Sequence, residues 1–261
     1  MTQAHLSMTT LSAYSPIQRR ATALAPTRFL AVHLWLPLAG TLLASALLMG
    51  AGGDQWMADL LYRLEGGHWL LKEHWFTSGV VHRIGKWLST AAGVSVVILA
   101  VAAWCRPRLR VLRWPLTYLA ASVAVSTSLV SLLKAWTAMD CPWDLARYGG
   151  TRAMVGVFES RHGIAASGCF PAGHASAGYA WVALYFCALA LRPAWRLPGL
   201  SVGLAAGLIF GISQQLRGAH FLSHDLWSLA VCWLTALSLY CVMLARPPRA
   251  FDAMLPAGDA A

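Results

Sequence analysis

Long apolar runs alternate along the chain with short polar clusters, and their spacing predicts helices that cross a membrane. Six runs approach the roughly 20 residues that a spanning helix needs. They cover 29–49, 87–105, 114–133, 173–191, 197–216 and 226–244. The fourth is the weakest, because its apolar part begins only near Ala177. So many runs in one small chain leave too little polar surface to clothe a soluble core. The expected fold is all-α: a polytopic membrane protein with six transmembrane helices. A single domain is expected over 29–245, between flexible tails at 1–28 and 246–261. The first run is too long, and its polar leader too extended, for a cleaved signal peptide; a retained helix is expected.

Two polar stretches interrupt this pattern. Residues 51–86 include "LLYRLEGGHWLLKEHW". This stretch is rich in tryptophan and too polar to span, so it predicts an interfacial helix lying on the outer surface. Residues 135–172 form a long loop on the same side. Loops of that length are usually functional or disordered, and its tryptophan, tyrosine and phenylalanine favour order.

Composition agrees. Of 261 residues, 58% are hydrophobic and 11% charged, against about a quarter charged in ordinary soluble domains. Mean hydropathy is +0.56. The 13 tryptophans suit headgroup level, where an amphipathic ring is at home. A net charge of +10 could indicate nucleic acid, but there is no basic stripe interleaved with aromatic residues. The arginines sit instead at the ends of runs: Arg19, Arg20 and Arg28; Arg106, Arg108, Arg110 and Arg113; Arg192 and Arg196; Arg246 and Arg249. All fall on one side, which is therefore expected to be cytoplasmic, together with both termini.

The opposite side carries three polar clusters: "KAWTAMDCPWDLARYGG" from Lys134, "CFPAGHAS" from Cys169, and "LRGAHFLSHD" from Leu216. Each has a bland reading. Lys134 could snorkel, His174 could be a helix-start histidine with one hydrogen bond, and His220 with His224 could be an interfacial polar band. Three such clusters on one face argue for function, because ionisable groups near membrane depth are costly. Their chemistry suits a phosphate ester. Lysine and arginine neutralise non-bridging oxygens. "PAGHAS" opens a helix whose N–H groups, from Gly173 onward, can take an anion. One histidine can attack phosphorus while another protonates the leaving oxygen.

The ordered clusters resemble the type 2 phosphatidic acid phosphatase superfamily of membrane lipid phosphatases. Its signature is K-x6-R-P, then P-S-G-H, then S-R-x5-H-x3-D. The resemblance covers about 29–244. It implies a helical bundle in the inner membrane, with its site facing the periplasm or outside. It further implies metal-independent phosphoryl transfer with no cofactor. Lys134 and Arg217 would bind phosphate, His174 would be the general acid, and His220 would become phosphohistidine. The substrate would be a lipid phosphate such as phosphatidic acid, phosphatidylglycerophosphate, polyprenyl pyrophosphate or lipid A phosphate. A phosphotransferase using the same intermediate is an alternative. A transporter, of a different class, would place charges mid-span, where only His33 lies.

The chain departs from this signature in several places. Cys141 replaces the arginine of the first block, with Arg147 a stand-in from the same loop. Ala172 replaces serine in the second block, and Ser176 is its distant alternative. Gln214 follows Ser213 where arginine is expected, the arginine lying at 217. Asp225 is five residues past His220 rather than four. On a helix that is about 140° around, against about 40° for four, and His224 occupies the usual slot. Either Asp225 or His224 orients His220; a carboxylate better stabilises an imidazolium, which favours Asp225. Among six cysteines, Cys105, Cys187, Cys232 and Cys241 read as packing residues. Cys141 and Cys169 share the outer side, where an oxidising compartment permits a disulfide. No CxxC or HExxH spacing suggests zinc.

Overall fold

The computed structural model describes residues 26–156, 159 and 167–245. The expected tails, apart from 26–28, lie outside the described residues. Seven helices carry the architecture: α1 Thr27–Gly50, α2 Gly53–Leu64, α3 Trp75–Cys105, α4 Arg113–Thr137, α5 Gly173–Leu191, α6 Arg196–Leu216 and α7 Leu222–Met243. All but α2 are long and apolar enough to cross a membrane. No strand occurs among the described residues, only an isolated bridge between Leu145 and Arg152. The chain is an all-α, multi-pass membrane protein.

One boundary differs from the sequence pattern. The interfacial helix is confined to Gly53–Leu64, and α3 begins at Trp75 rather than at residue 87. Its first turns, Trp75–Ile84, are π-helical. His82, Arg83 and Lys86 sit in this extension, so hydropathy hid it.

The core lies between α4, α5 and α7. Tyr118 and Leu119 pack against Ala183, Phe186 and Leu189 and against Ala236, Leu237 and Tyr240. The buried Tyr118 hydroxyl donates to the Ala236 carbonyl at 3.0 Å. α1 docks on this core through His33. Its Nδ1–H donates to the Phe29 carbonyl at 2.9 Å, so Nε2 accepts from the Tyr185 hydroxyl at 2.8 Å. Trp233 Nε1–H donates to the His33 carbonyl at 2.7 Å. With both ring nitrogens bonded, the one mid-span histidine is a packing staple.

The weak fourth run becomes the innermost helix. In its most apolar window, 56% of α5 is buried, against 11% for α1 and α3. A helix encased by other helices has no need of an apolar surface all round, so its low hydropathy reflects its position. Small residues let its neighbour close in. Gly203 and Gly207 of α6 lie on one face, four apart. A Cβ at 203 would sit 2.3 Å from the Val182 backbone nitrogen, and one at 207 would sit 2.0 Å from the Tyr179 ring. Backbone cannot give way as a side chain can. Gly203→Ala is therefore expected to destabilise the protein by about 2 kcal/mol or more. Gly40→Ala, with nothing within 4 Å, should be neutral or stabilising. Thermal unfolding in detergent compares the two.

Candidate active site

The three polar clusters meet at one end of the bundle, opposite the Arg106–Arg113 and Arg192–Arg196 turns. α4 presents Lys134 in its last turn, and the helix stops where Ala138 takes a left-handed φ of 50°. The chain then runs to Cys141, which forms a disulfide with Cys169, their Cα atoms 5.3 Å apart. Backbone bonds reinforce this closure. Cys169 N–H donates to Met139 O at 2.8 Å, and the Thr137 hydroxyl donates to the Phe170 carbonyl. Ala172 N–H donates to His224 O at 3.1 Å, and Ser228 donates to Ala172 O at 2.9 Å. The backbone just ahead of α5 is thereby fastened to α4 on one side and α7 on the other.

Lys134 lies over the start of α5. A Cβ at Gly173 would be 3.3 Å from its Nζ, so an alanine there would press on the ammonium. The first N–H groups of α5 have no side-chain cap, which leaves donors beside a cation. His174 follows, its ring stacked on His82 with centroids 4.2 Å apart.

The stretch from Arg217 to His220 is shaped by Gly218, which adopts φ +69° and faces the Trp69 indole, 2.4 Å from where a Cβ would be. Both constraints demand glycine. Trp143 N–H donates to the Gly218 carbonyl at 2.9 Å. Trp69 joins Tyr62, Tyr148 and Phe221 in an aromatic cover over this loop. Arg217 is buried; its Nε donates to Lys72 O at 2.7 Å and its Nη1 to Gln214 Oε1 at 3.1 Å. The Lys72 ammonium stands 4.4 Å over the Trp143 ring, so a second cation borders the arginine.

His220 and His224 face each other, with Nδ1 to Nδ1 at 3.4 Å. Asp225, favoured by the chemistry of an imidazolium, does not make this contact. Its carboxylate accepts from Gln215 Nε2 and packs where Gly211 lacks a side chain, a Cβ there falling 2.4 Å from Oδ2. His220 lies ahead of α7, whose N-cap Phe221 is extended, so no helical step joins it to Asp225; within the helix Asp225 is turned about 100° from His224, toward α6. Arg147 turns toward α2. It forms a fork on Asp59 of α2, at 2.7 Å through Nε, and its side chain is 55% exposed. The carboxylate of Asp59 draws it away from Lys134. Ser176 donates back to the Gly173 carbonyl at 2.7 Å, so its hydroxyl does not replace the missing motif serine. Burial, then His224 and Lys134, pushes the His220 imidazole well below the usual histidine range.

Three residues absent from the sequence reading belong to this end of the bundle. Asp54 of α2 accepts from the Ser223 backbone N–H at 2.9 Å, satisfying an orphan donor at the start of α7. It lines a small cavity together with Gln215, Trp69 and His220. Lys72 and His82 are the others. The only signal for these two was the density of charge in "LLKEHW" and "VHRIGK", within a segment that reads as interfacial.

Unpartnered polar atoms gather here. His174 Nε2, His224 Nε2, Ser213 Oγ, Gln214 Nε2 and Asp225 Oδ1 are buried with no hydrogen-bond partner. Buried polar groups are normally satisfied, so these atoms are free to bond a polar ligand or water at this end of the bundle.

Fold and site together define a polytopic membrane protein with a histidine-, lysine- and arginine-bearing centre at one end of its helical bundle. The chain belongs to the PAP2 superfamily, whose match spans residues 115–248, just over half its length. That span includes α4 from Pro115 onward, α5 to α7 and all three clusters, and it associates the chain with phosphatases. No curated protein and no solved structure matches the chain.

Proposed function

We propose that this protein is a membrane lipid phosphatase or pyrophosphatase acting through a phosphohistidine at His220. With Nδ1 of His220 turned to His224, the other ring nitrogen, Nε2, attacks phosphorus. The N–P bond forms as the P–O bond to the lipid breaks, and His174 gives its Nε2 proton to the departing oxygen. Lys134, Arg217 and the N–H groups from Gly173 hold the non-bridging oxygens. Water then attacks phosphorus, His174 takes its proton, and phosphate leaves His220.

One observation carries this reading: Lys134, His174 and His220, from three separate segments, come together at one end of the bundle, Lys134 lying over the start of α5 next to His174 and both acting electrostatically on the buried His220. The side of the membrane follows from two features at opposite ends of the bundle. Arginine-rich turns favour the cytoplasm, and the Cys141–Cys169 disulfide favours an oxidising compartment. The site therefore faces outward from the cytoplasmic membrane, and both termini are cytoplasmic.

The test is phosphate release by the detergent-purified protein with chelator present. The panel is phosphatidic acid, phosphatidylglycerophosphate, a polyprenyl diphosphate and lipid A phosphate. Release from at least one is expected, with inhibition by vanadate, which mimics five-coordinate phosphorus. Silence on the whole panel would sink the assignment.

A further inference from the structure

α3 lies outside the matched family segment, yet it packs directly against His174. The two rings of His82 and His174 are stacked, 23° from parallel. On another side the Phe210 ring lies 5.2 Å away, tilted by 53°. Phe210 reaches this position because residue 85 is glycine; a Cβ there would fall 2.5 Å from its Cε1. The backbone of Val81 hydrogen-bonds His174. Since His174 Nε2 has no partner, that bond uses Nδ1, whose N–H donates to the Val81 carbonyl. One turn of α3, Val81 to Gly85, thus engages one face of the His174 imidazole and its far nitrogen, and makes room for Phe210 of α6 on another side. Nε2 is left as the only nitrogen available to a ligand. The turn begins in the π-helical stretch Trp75–Ile84, a widened geometry frequent at functional sites.

We propose that His82 is a positioning residue for His174, so that α3 sets the orientation of the general acid. The proposal rests on the reading of His174 as that acid. An imidazole early in a helix can turn about two side-chain bonds, and only one orientation brings Nε2 within hydrogen-bond reach of a leaving oxygen. The Val81 carbonyl selects which nitrogen faces outward. The His82 ring removes the remaining freedom by covering one face. It does so without adding a fixed charge to a region where Lys86, Arg83, Lys134 and Arg217 already face the pair. A neutral ring can also stack favourably on His174 in its protonated, proton-donating state.

General-acid help matters when the leaving group is a poor one. Two esters therefore separate positioning from folding: an alkyl phosphate, phosphatidic acid, and an aryl phosphate, p-nitrophenyl phosphate, whose phenolate departs without a proton. His82→Ala is expected to lower kcat on phosphatidic acid by about 10- to 100-fold, with KM little changed. Its effect on p-nitrophenyl phosphate should be under about 3-fold. His82→Phe, which keeps a flat ring, should recover most of the lost kcat. In a His174→Ala background, His82→Ala should cost nothing further, because it acts through the ring already removed.

Equal losses on both esters, or losses that add in the double variant, would overturn the proposal and leave His82 as packing. Failure of the underlying reading looks different. If the wild-type protein cleaves neither ester, the same comparison is run on whichever lipid of the panel it does cleave, and silence on the whole panel removes the phosphatase assignment. His174→Ala impaired equally on both esters removes His174 as the acid, and the proposal falls with it.

Discussion

Replacing His220 by alanine is expected to abolish phosphate release, by about 10⁴-fold or more in kcat. Every step of the proposed reaction runs through its Nε2, and water at the same place is a far weaker nucleophile. Acid-labile, base-stable phosphate trapped on the wild-type protein in rapid-quench experiments should disappear in the variant. The ring is buried, so alanine leaves a cavity. His220→Gln, closer in size, should be equally inactive while unfolding near the wild-type temperature. Because burial and its neighbours hold the His220 pKa well below 6.5, the neutral, nucleophilic form persists as pH falls through 6.5. The sign follows directly: a lowered pKa moves loss of the base form to lower pH. On p-nitrophenyl phosphate, whose phenolate leaves without a proton from His174, the rate of phosphoenzyme formation should therefore hold between pH 7.5 and 6.5. Substantial activity in either His220 variant would exclude this nucleophile.

The second large effect is expected at His224. An Nδ1-to-Nδ1 contact permits one proton between the two rings. If His220 donates it, His220 Nε2 keeps its lone pair for attack; the reverse assignment would spoil the nucleophile. The Cys169 backbone carbonyl accepts from both rings as well, so it and the His224 contact together hold the His220 tautomer. His224→Ala removes one of these two partners and is expected to cost about 10²- to 10⁴-fold in kcat. Asp225→Asn should cost under about 10-fold, because its carboxylate bonds Gln215 and packs against Gly211. His224→Asp should retain more activity than His224→Ala, since a carboxylate can accept the same proton. A reversed order, with Asp225→Asn the more damaging, would return the orienting role to Asp225.

Asp225 and Arg147 mark where sequence spacing stops being informative. The five-residue interval from His220 to Asp225 signals a phase problem without saying which way the backbone resolves it. The answer depends on Gly211, on a different helix, offering space for a carboxylate. Arg147 shares a loop with the Lys134 block, and proximity along the chain suggested a phosphate contact. Its actual partner is Asp59, 88 residues earlier. His82 shows the opposite failure. Its surroundings, "VHRIGK", are too polar for a hydropathy window, so the start of α3 was assigned to the surface.

What the sequence alone determined is the all-α, membrane-spanning character and the six spans. It also determined the arginine asymmetry and the order of the three polar clusters that makes the chain recognisable as a member of the PAP2 superfamily. These are properties of composition and local period, since apolar length and charge act where they stand. Only the tertiary structure decided that α5 is the innermost helix, that His224 rather than Asp225 faces His220, and that α2, the α2–α3 connection and α3 contribute Asp54, Lys72 and His82. Those outcomes depend on which surfaces close against one another. A glycine on α6 or a carboxylate on α2 acts only on a partner that the folded chain has brought within a few ångströms.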